Sequence, residues 1–157
     1  SGRPALTFTN VDLNEVASEV IPALEPLADQ SGVGLAVAFA LDMPRVVADR
    51  LALRQILINL ISNALRHAGR GSRAVVRTGH APTGEAWLEV EDDGPGVAPD
   101  VLAKALDQRV RQDARGLGLP LSLRLAQATG ARLAITGVSP HGTRARITFP
   151  PSRIVPV

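Results

Sequence analysis

Leu53-Arg-Gln-Ile-Leu-Ile-Asn59-Leu-Ile-Ser-Asn63-Ala-Leu-Arg66-His67-Ala68 has the periodicity of a single amphipathic helix. At 3.6 residues per turn, Leu53, Ile56, Leu57, Leu60, Ile61 and Ala64 form one apolar stripe, the face that packs on a sheet. Asn59, Asn63 and His67 stand four residues apart, so they run along the margin of that stripe, where core meets water. Asp49 supplies an N-cap, which sets the helix at about Arg50 to Ala68, and Gly69 to Gly71 break it. Helix propensity alone prefers Ala or Gln at such a margin, so two asparagines in register need a local reason. A carboxamide oxygen is a neutral, hard ligand, suited to a Mg²⁺ that keeps several waters and leans on substrate phosphates.

On the N-terminal side, Val11 to Gln30 opens with Asp12-x-x-Glu15 and carries Val16, Val20, Leu24 and Leu27 at helical spacing up to Ser31-Gly32. Pro22 and Pro26 are expected to bend or shorten this helix. Leu35 to Leu41 and Val46-Val47 read as two short strands. Beyond the central helix, Ala74 to Thr78 and Ala86 to Glu91 read as a strand pair around Pro82-Thr83-Gly84. Val101 to Leu106 is a short helical piece, Arg109 to Arg115 lacks a pattern, and Leu117 to Thr129 is helical. Leu133 to Thr136 and Ala145 to Phe149 close the chain as strands. Strands and helices come in runs, which favours an antiparallel or mixed sheet covered by helices on one face.

A chain of 157 residues suits one domain with one core. Its hydrophobic share of 45% and charged share of 20% are those of a soluble globular protein, and no apolar run nears the roughly 18 residues of a membrane span. The isoelectric point near 10.3 reflects the absence of Cys and Tyr rather than a basic surface, because the net charge is only +2. With arginines scattered and aromatics at 3%, nucleic acid is not an expected partner. The lack of cysteine suits a reducing cytoplasm.

Two further segments carry chemistry. Val90-Glu91-Asp92-Asp93-Gly94-Pro95-Gly96-Val97 ends a strand in acids and then lets backbone approach something flat through glycines. A carboxylate there, Asp92, can accept a hydrogen bond from an exocyclic amine, the group that distinguishes adenine from guanine. Arg115-Gly116-Leu117-Gly118-Leu119-Pro120 places glycines directly before a helix, whose free amides and dipole form an anion site. Pro120 fits the first turn.

Together and in this order, the three segments resemble the catalytic domain of sensor histidine kinases in the gyrase, chaperone, histidine kinase and mismatch-repair ATPase superfamily. The likeness extends from Val11-Asp12-Leu13 through Asp49-x-x-x-Leu53-Arg54-Gln55 to Gly142-Thr143-x-x-x-Ile147-x-Phe149-Pro150. It implies a two-layer α/β sandwich, its mixed and largely antiparallel sheet covered on one face by helices, with ATP held between the Asn-bearing helix and a short lid. By the same resemblance Asn63 coordinates Mg²⁺, Asn59 supports that site, Arg66 reaches the phosphates and His67 lies beside the nucleotide. Asp92 reads adenine, Gly94, Gly96 and Val97 shape the base pocket, and Thr143 joins the adenine network. Arg111, Gly116, Leu117, Gly118 and Leu119 complete the nucleotide set, with ATP and Mg²⁺ as cofactors. Residues 1–10 are expected to be a linker or cloning remnant with a possible first strand, 11–150 the catalytic domain and 151–157 a tail.

Hydrolytic members of the superfamily carry Glu where this chain has Asn59, and an amide is a poor base. The resemblance therefore implies slow hydrolysis and transfer of the γ-phosphoryl group to a histidine on a separate dimerisation domain of the same protein, by positioning and charge neutralisation. A response regulator is the implied downstream partner, and the fragment is expected to be a monomer whose parent is a homodimer. The implied location is the cytoplasm, as part of an inner-membrane receptor, without membrane contact by this fragment.

Departures from the pattern are concentrated in one place. Ala105-Leu-Asp-Gln-Arg-Val-Arg111 lacks the aromatics usual in relatives, the lid is reduced to Gln112 to Arg115, and one customary glycine before Gly116 is missing. None of His67, His80 and His141 lies in a phosphoacceptor motif, so ATP binding without self-phosphorylation is expected. His80, beside a turn, and His141, in one, read as surface residues. The competing readings are an anti-sigma-factor serine kinase and a non-catalytic nucleotide-binding module. Val11-Asp12-Leu13, which resembles the exit from a dimerisation helix pair, favours the sensor kinase.

Overall fold

The computed structural model of the chain describes residues 5–96 and 119–156. Strand β1 (Phe8–Val11) leads into helix α1 (Leu13–Ser31), then β2 (Gly34–Ala38), β3 (Val46–Asp49) and helix α2 (Arg50–His67). Strands β4 (Arg73–His80) and β5 (Ala86–Asp92) follow. Helix α3 (Leu119–Ala128), β6 (Arg132–Gly137), β7 (Thr143–Phe149) and a 3-10 turn (Pro151–Arg153) complete the described residues. The five-stranded sheet runs in the order β2-β4-β5-β7-β6, with β2 and β4 parallel and the other neighbours antiparallel. The three helices of the described residues lie on one face of the sheet, as the pattern of runs predicts, which makes the two-layer α/β sandwich that the resemblance implies. The helical segment expected at Val101 to Leu106 and the lid at Gln112 to Arg115 lie outside the described residues.

Strand parity builds the core. Ala86, Leu88 and Val90 of β5 and Ala145, Ile147 and Phe149 of β7 turn toward the helices and are buried, against Leu53, Ile56, Leu57 and Ile61 of α2. The other parity of β5 gives Trp87, Glu89 and Glu91, which face away from the helices. There Glu89 is only 2% exposed because Arg77 and Arg146 stand opposite it in the register. Arg146 binds it through Nη2 at 2.6 Å and lays its guanidinium 4.1 Å over the Trp87 ring. A charge so buried is tolerable only when paired in this way.

One expectation needs correction: helix α1 starts at Leu13, after the Asp12 cap, and its prolines do not shorten it. Asp12 is the N-cap, its Oδ1 accepting from the amides of Asn14 and Glu15 at 2.9 and 3.4 Å, and the helix runs 19 residues through Pro22 and Pro26. Both prolines are solvent-exposed, so the carbonyls they leave unbonded face water, while Val16, Val20, Leu24 and Ala28 anchor the opposite side. The two short strands read at Leu35 to Leu41 and Val46-Val47 appear as β2 and β3, and they belong to different sheets. β3 pairs with β1 in a separate two-stranded ribbon, Phe8 opposite Asp49 and Val11 opposite Val46. The segment after β7 docks on the same ribbon, through a bridge from Ile154 to Val46 and the Val155 amide bonded to the Arg45 carbonyl.

Asp49 ties this ribbon to α2. Its Oδ1 caps the helix by accepting from the Ala52 amide at 2.8 Å, its Oδ2 accepts from the Thr7 amide at 2.7 Å, and its own amide donates to Thr129. The start of α2 is thus locked to the residue before β1 and to the end of α3, and the position of Asn59, Asn63 and His67 along the helix is fixed from there.

Candidate functional site

Downstream of that anchor, Leu60, Asn63, Ala64 and His67 form one face of α2 and one wall of an open cleft. Val90 and Asp92 of β5, Thr143 and Ala145 of β7 and Ile135 of β6 form its floor, and Gly96 and Leu119 stand at its rim. Three separate stretches of chain therefore meet: the central helix, the acidic strand end and the start of α3. The floor and inner wall are apolar, and the polar groups sit at defined points around them. That composition suits a flat, partly apolar ligand oriented by a few hydrogen bonds.

Asp92 is placed by parity. It continues the inward series Ala86, Leu88, Val90, so its carboxylate points to the helix side at the strand end, where it is half-buried. Burial pushes its pKa above the ordinary carboxylate value, and the nearby Asp93 and Glu91 add to the rise. The backbone amides of Gly94 and Thr143 oppose the shift by donating to the charged form, the former to Oδ1 at 2.9 Å. The anchored carboxylate keeps lone pairs for a ligand donor, since two oxygens offer about four acceptor positions.

The loop after Asp92 is clamped on two sides. A Cβ built on Gly94 would lie 2.5 Å from the Cα and 2.6 Å from the carbonyl oxygen of Ala68, at the end of α2. The sequence suggests that this glycine leaves room for a ligand; in the fold the room is taken by α2. Gly142 is constrained similarly, because a side chain there would run into the carbonyl of Asp92. His141 is exposed, as its turn position suggests, yet its Nδ1 lies 3.0 Å from the Gly94 carbonyl.

The remaining sequence candidates fall into three groups. Asn59 does not line the cleft: its Oδ1 accepts from Gln55 at 3.0 Å and its Nδ2 donates to Ser122 Oγ at 3.3 Å, tying α2 to α3. Arg66 is exposed beside the cleft and Gly94 is buried behind its rim. Val97, Arg111, Gly116, Leu117 and Gly118 lie outside the described residues. Sequence reasoning assigned Leu60, Ala64, Val90, Ile135 and Ala145 to helix and strand cores without giving them to the site, although parity with Asp92 and phase with Asn63 would have placed Val90, Leu60 and Ala64 there. It gave no signal for Ser122, which is fully buried and meets Asn59 from 63 positions away.

A wider groove beside the first turn of α2 is lined by Leu6, Leu51, Leu121 and Leu125 among others. Its one carboxylate among the described residues, Asp49, is already committed to two backbone amides. The cleft at Asn63 and Asp92 is therefore the better-equipped site.

Known proteins resemble the chain over the same elements. Residues 48–153 match the family described as histidine kinase-, DNA gyrase B-, and HSP90-like ATPase. The cell-division control histidine kinase PdhS of Brucella anthropi is 31% identical over 171 aligned residues, which take in 99% of this chain and 16% of that protein. The chain thus spans about a sixth of the length of the curated relative. Full-length ShkA, solved in complex with AMPPNP, superposes with a TM-score of 0.82 at 28% identity, covering 100% of this chain and 33% of that one. The catalytic domain of histidine kinase ThkA, solved free of nucleotide, gives a TM-score of 0.81 at 23% identity over 92% of this chain and 96% of that one, a likeness of fold. ThkA has also been solved in complex with the response regulator protein TrrA.

Proposed function

Because the chain belongs to the histidine kinase-, DNA gyrase B- and HSP90-like ATPase family, we propose that it is the ATP-binding catalytic domain of a sensor histidine kinase. It transfers the γ-phosphoryl group of ATP to a histidine nitrogen on a separate dimerisation domain of its parent and leaves ADP in the cleft. The observation that carries this reading is the convergence of Asn63 and His67 from α2, Asp92 from β5 and Thr143 from β7 on one cleft with an apolar floor. PdhS supports the phosphoacceptor class by its name, and ShkA supports the nucleotide by its bound ATP analogue.

In this reading the base lies on Val90, Ile135 and Ala145, and its exocyclic amine donates to the Asp92 carboxylate. The phosphates run along α2 toward Asn63 and the start of α3, where helix-end amides and the nearby Arg66 offset their charge. The donor set also fits Mg²⁺. Among the described residues lining the cleft, the one carboxylate, Asp92, stands at the base end, and Asn63 presents a neutral carboxamide one turn from His67. Asn63 would hold the ion, with Asn59 behind it, and the ion would neutralise phosphate charge. Asn59 is held by Gln55 and Ser122 and, as an amide, abstracts no proton from water, which favours transfer over hydrolysis.

The parent is proposed to be a homodimer that passes its phosphoryl group to a response regulator on the cytoplasmic side. Among the described residues no helix is long and apolar enough to cross a membrane. The test mixes the domain with the parent's histidine-bearing domain and labelled ATP. Acid-labile label on that domain is expected; acid-stable label on a protein serine, or no transfer despite ATP binding, would reject the assignment.

A further inference from the structure

The nucleotide reading of the cleft leaves His141 unused, yet it makes one of the few polar contacts at the base end. We propose that His141 is a positioning residue of the nucleotide site: its Nδ1–H holds the carbonyl of Gly94, and through Gly94 it fixes the carboxylate of Asp92. Gly94 is bonded at both ends. Its amide donates to Asp92 Oδ1 at 2.9 Å, and its carbonyl faces His141 Nδ1 at 3.0 Å. These groups belong to successive peptide planes, so the two bonds restrain both backbone dihedrals of the residue type least able to restrain itself. Contact with Ala68 closes the third side.

The turn that carries His141 does not need this contact for its own closure, because the Val138 amide already bonds the Gly142 carbonyl across it. The histidine instead reaches 47 positions back along the chain, to the loop beside Asp92. A carbonyl oxygen only accepts, so Nδ1 carries the proton. Neutral His141 is therefore held as the Nδ1–H tautomer, with its lone pair on Nε2. An asparagine side chain can present a donor in nearly the same place, whereas alanine cannot.

Two measurements on the isolated domain test this. The first is ¹⁵N NMR of the imidazole at about pH 8.5, roughly two units above the ordinary histidine pKa. An Nδ1–H signature is expected, and an Nε2–H signature would overturn the contact. The second is calorimetry with Mg²⁺ and a non-hydrolysable ATP analogue. His141→Ala is expected to weaken binding roughly three- to tenfold, the range for loss of one neutral hydrogen bond, and His141→Asn to restore it, with thermal midpoints of both variants near wild type. Unchanged affinity in His141→Ala, or equal loss in both variants, rejects the positioning role. If the wild-type domain itself fails to bind the analogue, the nucleotide reading fails and this role with it, while the tautomer still reports whether the contact exists.

Discussion

Gly94→Ala separates the architecture of the site from the stability of the fold. The added methyl would stand 2.5, 2.6 and 2.9 Å from the Cα, O and C atoms of Ala68, all backbone of the α2 terminus, where no side chain can swing aside. Relief to van der Waals distance requires a displacement of roughly 1 Å, and overpacking of this kind costs about 1–3 kcal/mol. The softer partner is the loop, so Gly94 moves and its amide leaves Asp92 Oδ1, now 2.9 Å away. If the carboxylate then loses its bond to the base, about 1.5–3 kcal/mol of binding goes with it, between about tenfold and a hundredfold in affinity. Gly71→Ala is the control. Gly71 has φ 91° and nothing within 4 Å of a built Cβ, so it suffers only left-handed strain of about 1 kcal/mol, or a few degrees of thermal midpoint. Calorimetry with an ATP analogue and thermal unfolding on both variants give the answer. Gly94→Ala binding within threefold of wild type would refute the claim that this loop is set against α2.

Three other outcomes are expected. The raised pKa of Asp92 means that its ionised form costs the empty fold stability at neutral pH, a cost relieved as pH falls through the folded pKa. Asp92→Asn should therefore melt no lower than wild type at pH 7, with any advantage shrinking as pH falls into the carboxylate range, while losing ATP affinity more than tenfold; a variant less stable at pH 7 contradicts the burial argument. Burial alone would raise the pKa of Glu91, but its hydrogen bond to Arg144 and the charges of Arg77 and Arg144 hold it below the usual value. Its contribution is present above the unfolded value of about 4.3 and lost as pH falls through the lower folded one. Arg144→Ala should then cost about 0.5–1 kcal/mol at pH 7 and progressively less in acid, as measured by urea unfolding at several pH values. Asn59→Ala removes the tie to Ser122 and strands a buried hydroxyl, so it should destabilise by about 0.5–1.5 kcal/mol; an unchanged urea midpoint would show that α3 is held without it.

The helix from Arg50 to His67 and its cap were legible because a 3.6-residue period and an Asp before it are local facts. Pairings were not. Val46-Val47 has the same alternation whichever sheet it joins, and the choice of β1 over β2 depends on residues far along the chain. The prolines of α1 were misleading because propensity weighs the backbone they disturb and not the buried valines and leucine opposite. Glu89, in Trp87-Leu-Glu-Val-Glu91, reads as a solvated carboxylate until the register puts Arg77 on one side of it and Arg146 on the other. Asp92 was legible as a candidate only through its company, since an acid before Gly-Pro-Gly also describes an ordinary turn.

Parity links the two faces of β5. Along this strand acids alternate between opposite tasks: Glu89 and Glu91 face the arginines of β4 and β7, and Asp92 faces the cleft. A slip of one residue in the pairing would send Asp92 to the arginine face and put Glu91 under α2. What prevents the slip is the apolar series Ala86, Leu88, Val90 facing the inward residues of β7 and the stripe on α2. Burying those side chains stabilises the correct register by several kcal/mol over one that exposes them. Core packing therefore sends the site's carboxylate to the cleft face, and the Gly94 and Thr143 amides then hold it there, so core substitutions at Leu88 or Ile147 that loosen the register are expected to act on nucleotide binding without touching the cleft.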